Sequence, residues 1–377
     1  MISIDGSYGE GGGQILRTAL GLSAILNKSF EVYNIRKGRK KPGLLAQHLT
    51  GVNAAQMVTE AKVVGNNFGS LSLTFEPKVI KGGEYEFNVA EERGSAGAVS
   101  LVAQTILPIL FFADKESKIT LKGGTHVPFS PPFDYLKEIL LPTLADFGFQ
   151  AKVELKGYGF YPVGGGEILL TVKPSEPIVS NTSSPLMVES TLHRGDPIRG
   201  ENKGEGEIRI RETHLSERGA LKELRITSKV ANLSLSIAER QKNHLLAKFE
   251  TRNSKFEIKS ECEAVKAPCP GTYLFLTAEF ENIRAGFSSL GVKGKPAEKI
   301  ADEVFEEFSH YYNQKEIFDP HLADQILIFL ALLKKPFNFT TTKITDHLLT
   351  NIWVINQFLP ELKIEVQGNA VNLKLVQ

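Results

Sequence analysis

The chain has 377 residues, 42% of them hydrophobic and 23% charged, proportions that suit a soluble globular protein and leave room for two domains with real cores. Forty-four cations against 43 acids give a net charge of +1, so no global field draws the protein to nucleic acid, and any such contact must come from a local basic cluster. The opening Met1-Ile2-Ser3-Ile4-Asp5 lacks a signal-peptide layout, no apolar run reaches the roughly 18 residues of a membrane span, and two cysteines, Cys262 and Cys269, make neither a disulfide framework nor a zinc site; the expectation is a cytoplasmic protein with no membrane partner.

One order of elements recurs three times along the chain. A strand at 2–4 runs into a Gly-rich turn and a helix at 14–26, followed by a strand at 30–35, a polar loop, a helix at 44–59 and strands at 61–64 and 71–75. The second copy begins with a strand at 85–89, turns at 92–97 into a helix at 98–112, and continues with a strand at 119–121, a loop at 123–132, a helix at 133–147 and strands at 151–155 and 167–172. The third opens with a strand at 280–287 and carries an extra charged helix at 296–312. A helix at 322–333, a strand at 337–341, a helix at 348–358 and strands at 362–366 and 370–376 complete it. These patterns predict an α/β (α+β) protein of three repeated βαβαββ units. On this reading residues 1–179 and 279–377 are expected to form one large domain of the three units, and 180–278 a smaller α+β domain inserted between the second and third units. Within the insert a linker is expected at 181–185, helices at 215–224 and 230–246, and strands at 255–260 and 273–277. Its arginines, Arg194, Arg199, Arg209, Arg211, Arg218 and Arg225, alternate with acids, which fits a solvated surface or an RNA-guiding face.

The unusual residues sit in loops that lead into helices, whose exposed N–H groups and partial positive charge suit phosphates. Asp5 to Gly13 holds five glycines in nine residues, with Glu10 the only acid within the Gly run and Arg17 one turn into the helix. The glycines let a backbone approach a ligand closely, and a carboxylate beside phosphates usually holds a divalent ion; a structural turn explains the glycines equally well. Arg36-Lys37-Gly38-Arg39-Lys40-Lys41 places five cations in six residues ahead of Gln47 and His48, and reads as a phosphate clamp or a solvated loop. The loop at 123–132, rich in prolines and aromatics, suits a base or ribose, or is simply structural. In the third copy Asp346 is expected as the N-cap and His347 as the first helical residue. There the helix dipole would disfavour the imidazolium and leave the neutral imidazole a nucleophile needs; a capping histidine without chemistry is the plain alternative. His321-Leu322-Ala323-Asp324-Gln325 opens another helix, where the polar residues either cap it or serve a ligand.

Taken together these loops resemble the RNA 3′-terminal phosphate cyclase family. The resemblance rests on residues 5–17, 35–39, 42–48, 94–97, 159–166, 322–325 and 347–351, in order over nearly the whole chain, and is weakest in the inserted segment. It implies a fold similar to enolpyruvyl transferases and an ATP-dependent reaction. In that reaction a histidine takes AMP from ATP, AMP passes to an RNA 3′-phosphate, and the 2′-hydroxyl displaces it to leave a 2′,3′-cyclic phosphate. Carried over residue by residue, it implies His347 as the adenylylated nucleophile and Glu10 as the ligand of a divalent metal, Mg or Mn. Arg17, Arg36 and Arg39 would bind phosphates, and Gln47 and His48 would lie near the RNA end. Gln104, Pro131, Tyr135, His321, Leu322, Ala323, Asp324 and Gln325 would surround the ATP. Two positions depart from the pattern: Tyr158 stands where the family usually has Arg or His, and His321 where it often has an aromatic residue. Relatives of the same fold also act as non-catalytic ribosome-assembly factors, the competing reading; the retained His347 and arginines favour the enzyme. An oligomer is compatible with the sequence, which does not fix the number of copies.

Overall fold

A computed structural model describes residues 1–89, 96–175, 217–250 and 256–376. The turn at 92–95, the linker at 181–185 and Arg194, Arg199, Arg209 and Arg211 lie outside the described residues.

The chain begins with β1 (Ile2–Asp5), α1 (Gly13–Leu26), β2 (Phe30–Tyr33), α2 (Ala46–Thr59), β3 (Lys62–Val64) and β4 (Leu73–Glu76). Their sheet has the order β1-β2-β4-β3, with β1 parallel to β2 and the other pairs antiparallel. The next sheet, β5 (Glu84–Asn88), β6 (Ser117–Gly123), β7 (Ala151–Gly157) and β8 (Gly166–Val172), has the order β5-β6-β8-β7, again with only its first pair parallel. Helix α3 (Val99–Leu110) crosses from β5 to β6. The single helix expected at 133–147 is three pieces: a turn of helix, α4 (Phe133–Tyr135), a π-helical turn (Leu136–Leu140) and α5 (Leu141–Asp146).

From Leu221 onward the chain departs from the expected boundaries. Residues 221–224, expected in a helix, open strand β9 (Leu221–Ala231), because burial there has period two: Leu224, Ile226, Ser228 and Val230 point inward and their neighbours outward. Helix α6 (Leu235–Glu250) starts later than expected, and buries Ala238, Gln241, Leu245 and Phe249 at helical spacing. Strands β10 (Glu257–Val265), β11 (Gly271–Phe280) and β12 (Arg284–Leu290) complete a sheet of order β10-β9-β11-β12. The boundary expected at residue 278 therefore cuts β11, which pairs with β9 on one side and β12 on the other. The strand expected at 280–287 to open a third copy is instead the second arm of this hairpin, turned by a bond from Phe280 N to Ile283 O of 2.9 Å. Helix α7 (Ala297–Tyr312) joins the same body: Phe305 and Phe308 pack on Phe249 of α6 with ring centroids 5.4 and 5.3 Å away.

The last sheet, β13 (Phe337–Thr340), β14 (Leu362–Gln367) and β15 (Ala370–Leu375), is antiparallel with the order β13-β15-β14. A parallel bridge from Phe318 to Thr341 stands where the two earlier sheets have a full parallel strand. Helix α8 (Pro320–Leu332) follows Phe318, and α9 (Asp346–Phe358) connects β13 to β14. Helix α1 is buried at almost every position from Ile15 to Ala24 and touches α2, α3 and α9, while α9 also packs on α8. The N-termini of α1 and α9 are thereby brought together across one apolar layer. No described helix is long and apolar enough to cross a membrane.

Candidate active site

The Gly-rich turn lets the two helix ends meet. Gly9 takes φ +53°, and a Cβ there would lie 2.7 Å from Thr350 Oγ1 of α9; a Cβ on Gly13 would lie 2.4 Å from His48 Nε2 of α2. Thr350 Oγ1 donates to the Asp346 carbonyl at 2.6 Å and accepts from Glu10 N at 3.4 Å, tying the turn to α9. Next to it, Asn351 joins three elements. Its Oδ1 accepts from Gln14 Nε2 at 3.0 Å and Thr18 Oγ1 at 2.7 Å on α1, and its Nδ2 donates to the Asp324 carbonyl on α8 at 2.8 Å. Gln14 to Thr18 and His347 to Asn351 are both i, i+4 pairs of polar groups, Thr18 and Asn351 on the buried faces of their helices. That spacing was the signal for this network, which the reading of individual loops passed over.

Glu10 is the junction of the charged side chains. Its Oε2 lies 2.6 Å from His347 Nδ1, and its Oε1 and backbone carbonyl take Arg39 Nη2, the carbonyl at 2.9 Å. Burial alone would raise the Glu10 carboxyl, but His347 and Arg39 together hold it below the ordinary value. Thr345, not Asp346, caps α9, its hydroxyl accepting from Leu348 N at 3.0 Å, so His347 is the second helical residue. The expected lowering of the imidazole by the helix end is also not found here. Contact with the Glu10 carboxylate raises the His347 pKa against the effect of burial, because a full charge at contact outweighs the partial charge of a helix end. The histidine held neutral is His48: burial, then Arg36 and Arg17, push it down to about 3. Its Nδ1 accepts from Leu45 N at 3.1 Å and closes the start of α2.

Arg17 extends its guanidinium to Gln14 Oε1, while its Nε is out of solvent with no partner. Burial lowers its pKa to about 10 although Asp324 and Glu10 support the charge. Asp324 in turn is raised to about 6 by burial, against the pull of His321, His347 and Arg17. Arg17, Gln14, Gln104, Asp324 and Gln325 line one cleft, and Arg17, Gln47 and His48 line an adjoining one. Gln104 Nε2 donates to Gln325 Oε1 at 2.6 Å, and Gln325 Nε2 to the His321 carbonyl at 2.8 Å.

Other implied residues are occupied by structural work. Arg36 uses Nη1 to hold the carbonyls of Lys41 and Gly43 at 2.7 and 2.9 Å. Gln47 accepts from Ala98 N at 3.2 Å, where α3 begins. Tyr135 is buried and donates to Asp319, at 2.8 and 2.9 Å from its two carboxylate oxygens, and Asp319 caps α8 through His321 N and Leu322 N. His321 stands edge-on to Tyr135 at 6.4 Å. Leu322 and Ala323 are fully buried, and Pro131 offers its carbonyl to Ser100 Oγ at 2.7 Å.

No group of three or more His, Cys, Asp or Glu among the described residues is arranged to hold a metal ion. Glu10 Oε2, out of solvent and in contact only with His347 Nδ1 at 2.6 Å, is the acceptor for which a cation would compete. A single carboxylate completed by substrate phosphates and water is the usual way a Mg²⁺–polyphosphate site is made.

A mixed α/β body whose helix-entry loops bring His347 and Arg39 onto one carboxylate, with the buried Arg17 charge coupled to it, has the parts of a nucleotidyl- or phosphoryl-transfer enzyme. A family model described as RNA 3′-terminal phosphate cyclase matches residues 8–366. The chain belongs to that family of enzymes. Curated relatives named RNA 3′-terminal phosphate cyclase include one from Methylococcus capsulatus, 40% identical over 95% of this chain and 91% of the relative. Another, from Gloeothece citriformis, is 38% identical over 99% and 98%, and one from Archaeoglobus fulgidus 36% identical over 99% and 100%.

Proposed function

We propose that the protein converts an RNA 3′-terminal phosphate to a 2′,3′-cyclic phosphodiester at the expense of ATP, through a covalent AMP on His347. The observation that carries this reading is the meeting of His347, Glu10 and Arg39 from three separate loops, with Nδ1 of the histidine turned to the carboxylate. A neutral imidazole whose Nδ1–H faces Glu10 leaves Nε2 with a free lone pair. Nε2 attacks the α-phosphorus of ATP, and the bond to the bridging oxygen breaks to release pyrophosphate. An oxygen of the RNA 3′-phosphate then attacks the same phosphorus and returns the histidine. Finally the 2′-hydroxyl attacks the terminal phosphorus, AMP leaves, and the hydroxyl proton passes to solvent. Both phosphate steps bring negative charge against Arg17 and Arg39. Arg36 keeps their loop in place, and Gln47 and His48 shape the side of the cleft toward the RNA end.

A divalent ion on Glu10 would supply charge neutralisation on the triphosphate. Drawing the carboxylate away from Nδ1 would also remove the chief cause of the raised His347 pKa. The nucleotide would lie against the wall that carries Gln104, Asp324 and Gln325, with Tyr135, Pro131 and His321 to Ala323 holding that wall from behind. We read the three sheets with matching strand orders as copies of one βαβαββ unit, the third with its first strand reduced to the bridge at Phe318. The smaller unit then includes β9 to β12, α6 and α7. Free cysteines at 262 and 269 agree with a cytoplasmic site of action.

Incubation with α-labelled ATP and Mg²⁺ or Mn²⁺ tests the proposal. One acid-labile AMP on His347, absent in His347→Ala, and cyclic ends on a 3′-phosphorylated RNA are expected. An unlabelled chain that still binds RNA would sink it in favour of a non-catalytic factor.

A further inference from the structure

The basic loop after β2 divides its cations by direction. Arg36 turns back onto the loop's own carbonyls, and Arg39 turns inward onto Glu10. Lys37, Lys40 and Lys41 are exposed, and among the described residues no acid lies within ion-pair distance of any of them. Some other exposed lysines are paired, as Lys62 with Glu76 at 3.6 Å and Lys363 with Glu365 at 2.7 Å; these three differ in standing together within five residues beside Arg36 and Arg39. The loop that displays the three is fixed. Gly43 N donates to the Ile35 carbonyl at 2.8 Å, Arg39 N to the Arg36 carbonyl at 3.0 Å, and Gly43 is wedged at φ +76° against the backbone of Gly69. A protein of net charge +1 thus keeps three cations without a contact ion pair on a stiff loop one or two residues away from Arg36 or Arg39.

We infer that Lys37, Lys40 and Lys41 form a track for the backbone phosphates of the RNA upstream of its reacting end, so that the enzyme holds longer RNA through charge while the cleft holds the terminus. The inference rests on the proposed RNA reaction. Lysine suits the task because a mobile point charge follows a flexible backbone without reading sequence. Each phosphate neutralised releases counterions, so binding through three lysines carries a distinct salt dependence.

The test compares the wild type with the triple variant Lys37→Ala/Lys40→Ala/Lys41→Ala on a 3′-phosphorylated dinucleotide and a 12-mer. Both are assayed for cyclisation across a salt series, with 12-mer affinity followed in parallel by fluorescence anisotropy. The expected result is a 12-mer log–log salt slope smaller by about 2, from roughly 0.7 per lysine on a single strand. Dinucleotide cyclisation and labelling of His347 by ATP stay as in the wild type. An unchanged 12-mer slope overturns the inference. So does an equal loss on dinucleotide and 12-mer, or a raised KM for ATP, which would assign the lysines to the cleft or the nucleotide. Should the triple variant fold poorly, Lys40→Gln/Lys41→Gln is held to the same criteria with an expected change of about 1.4. Failure of the wild type to make cyclic ends would fault the proposed reaction alone, because the anisotropy slope is read without turnover.

Discussion

On the sheet of β9 to β12 nearly every charge meets an opposite one in the open: Arg225 reaches Glu223 at 2.8 Å and Glu138 at 3.3 Å, Lys229 reaches Glu263 at 3.2 Å, and Arg284 reaches Glu279 at 3.4 Å. In the cleft between α1 and α9 the charges are fewer, more enclosed and less completely matched. Arg17 has an orphan Nε, Glu10 serves both His347 and Arg39, and Asp324 is raised to about 6. The first region is charge spent on solubility, where each pair contributes about 0–1 kcal/mol. The second keeps buried charges that cost stability and are retained for what they can bind. Of the described arginines that alternate with acids in the sequence, one belongs to the first kind and one is held by rings and backbone. Arg225 is paired, and Arg218 lies over Tyr311 at 4.7 Å and donates to the carbonyls of Tyr311 and Tyr312.

The largest contrast should come from Arg17. Replacing it with Met keeps much of the volume and removes a desolvated cation. Cyclisation is expected to fall by about 10³, the scale of losing one preorganised charge donor, while the melting temperature falls only slightly, because the buried Asp324 left without its cation takes up a proton. A drop of several degrees alongside the lost activity would make Arg17 a strut and blur the distinction between the regions.

Asn351 sharpens the comparison from the other side, because it stabilises and positions at once. Asn351→Leu leaves Gln14 Nε2, Thr18 Oγ1 and the Asp324 carbonyl without their partner, and should cost about 3 kcal/mol in urea unfolding. Asn351→Asp, which keeps the acceptor and loses the donor, should fall between. Because the helix that carries His347 is located by this side chain, kcat should drop further than KM rises in both variants.

How much of this was legible in the sequence follows the physics of each element. The cleft residues were readable because Gly-rich turns, clustered cations and a histidine at a helix start are local chemistry. The upward shift of His347 was not, because its first cause is Glu10, 337 positions away, rather than the helix that bears it. In the fold, α1 and the first two sheets followed their hydrophobic periods closely. The expected boundary near 278 falls inside β11 because the hairpin of β11 and β12 is defined by pairing across a turn, and pairing partners leave no local mark. Tyr135, Leu322 and Ala323, named through the resemblance, are core residues whose burial no motif reveals.

The histidine gives a pH test of moderate size. NMR titration should place the His347 midpoint above the ordinary 6.5, and Glu10→Gln should bring it down toward that value. The sign follows from both partners. The raised imidazole contributes stability below about pH 6.5 and loses it as pH rises through its folded value. The lowered carboxyl contributes above about 4.5 and loses it as pH falls through its own. The wild type should therefore exceed Glu10→Gln in stability most between those limits, by under about 1 kcal/mol since the pair is partly exposed, and above the folded pKa of the imidazole the gap should narrow to what Arg39 sustains. A His347 midpoint at or below 6.5 in the wild type would remove Glu10 as its partner in solution.

The smallest effect is expected at Arg225, and its smallness is the point. The side chain is 39% exposed and divides itself among Glu223, Glu138 and Glu279, the last at 3.9 Å. Removing it frees three acids to water without burying any of them, so Arg225→Ala should cost less than about 1 kcal/mol. Most of that cost should vanish in 0.5 M salt, where screening shortens electrostatic reach to about 4 Å, and turnover should stay as in the wild type. A loss that persists in high salt would mean that the contact to Glu138 holds β9 against the π-helical turn rather than decorating it. A loss of turnover without a loss of stability would move this face into the functional half of the molecule.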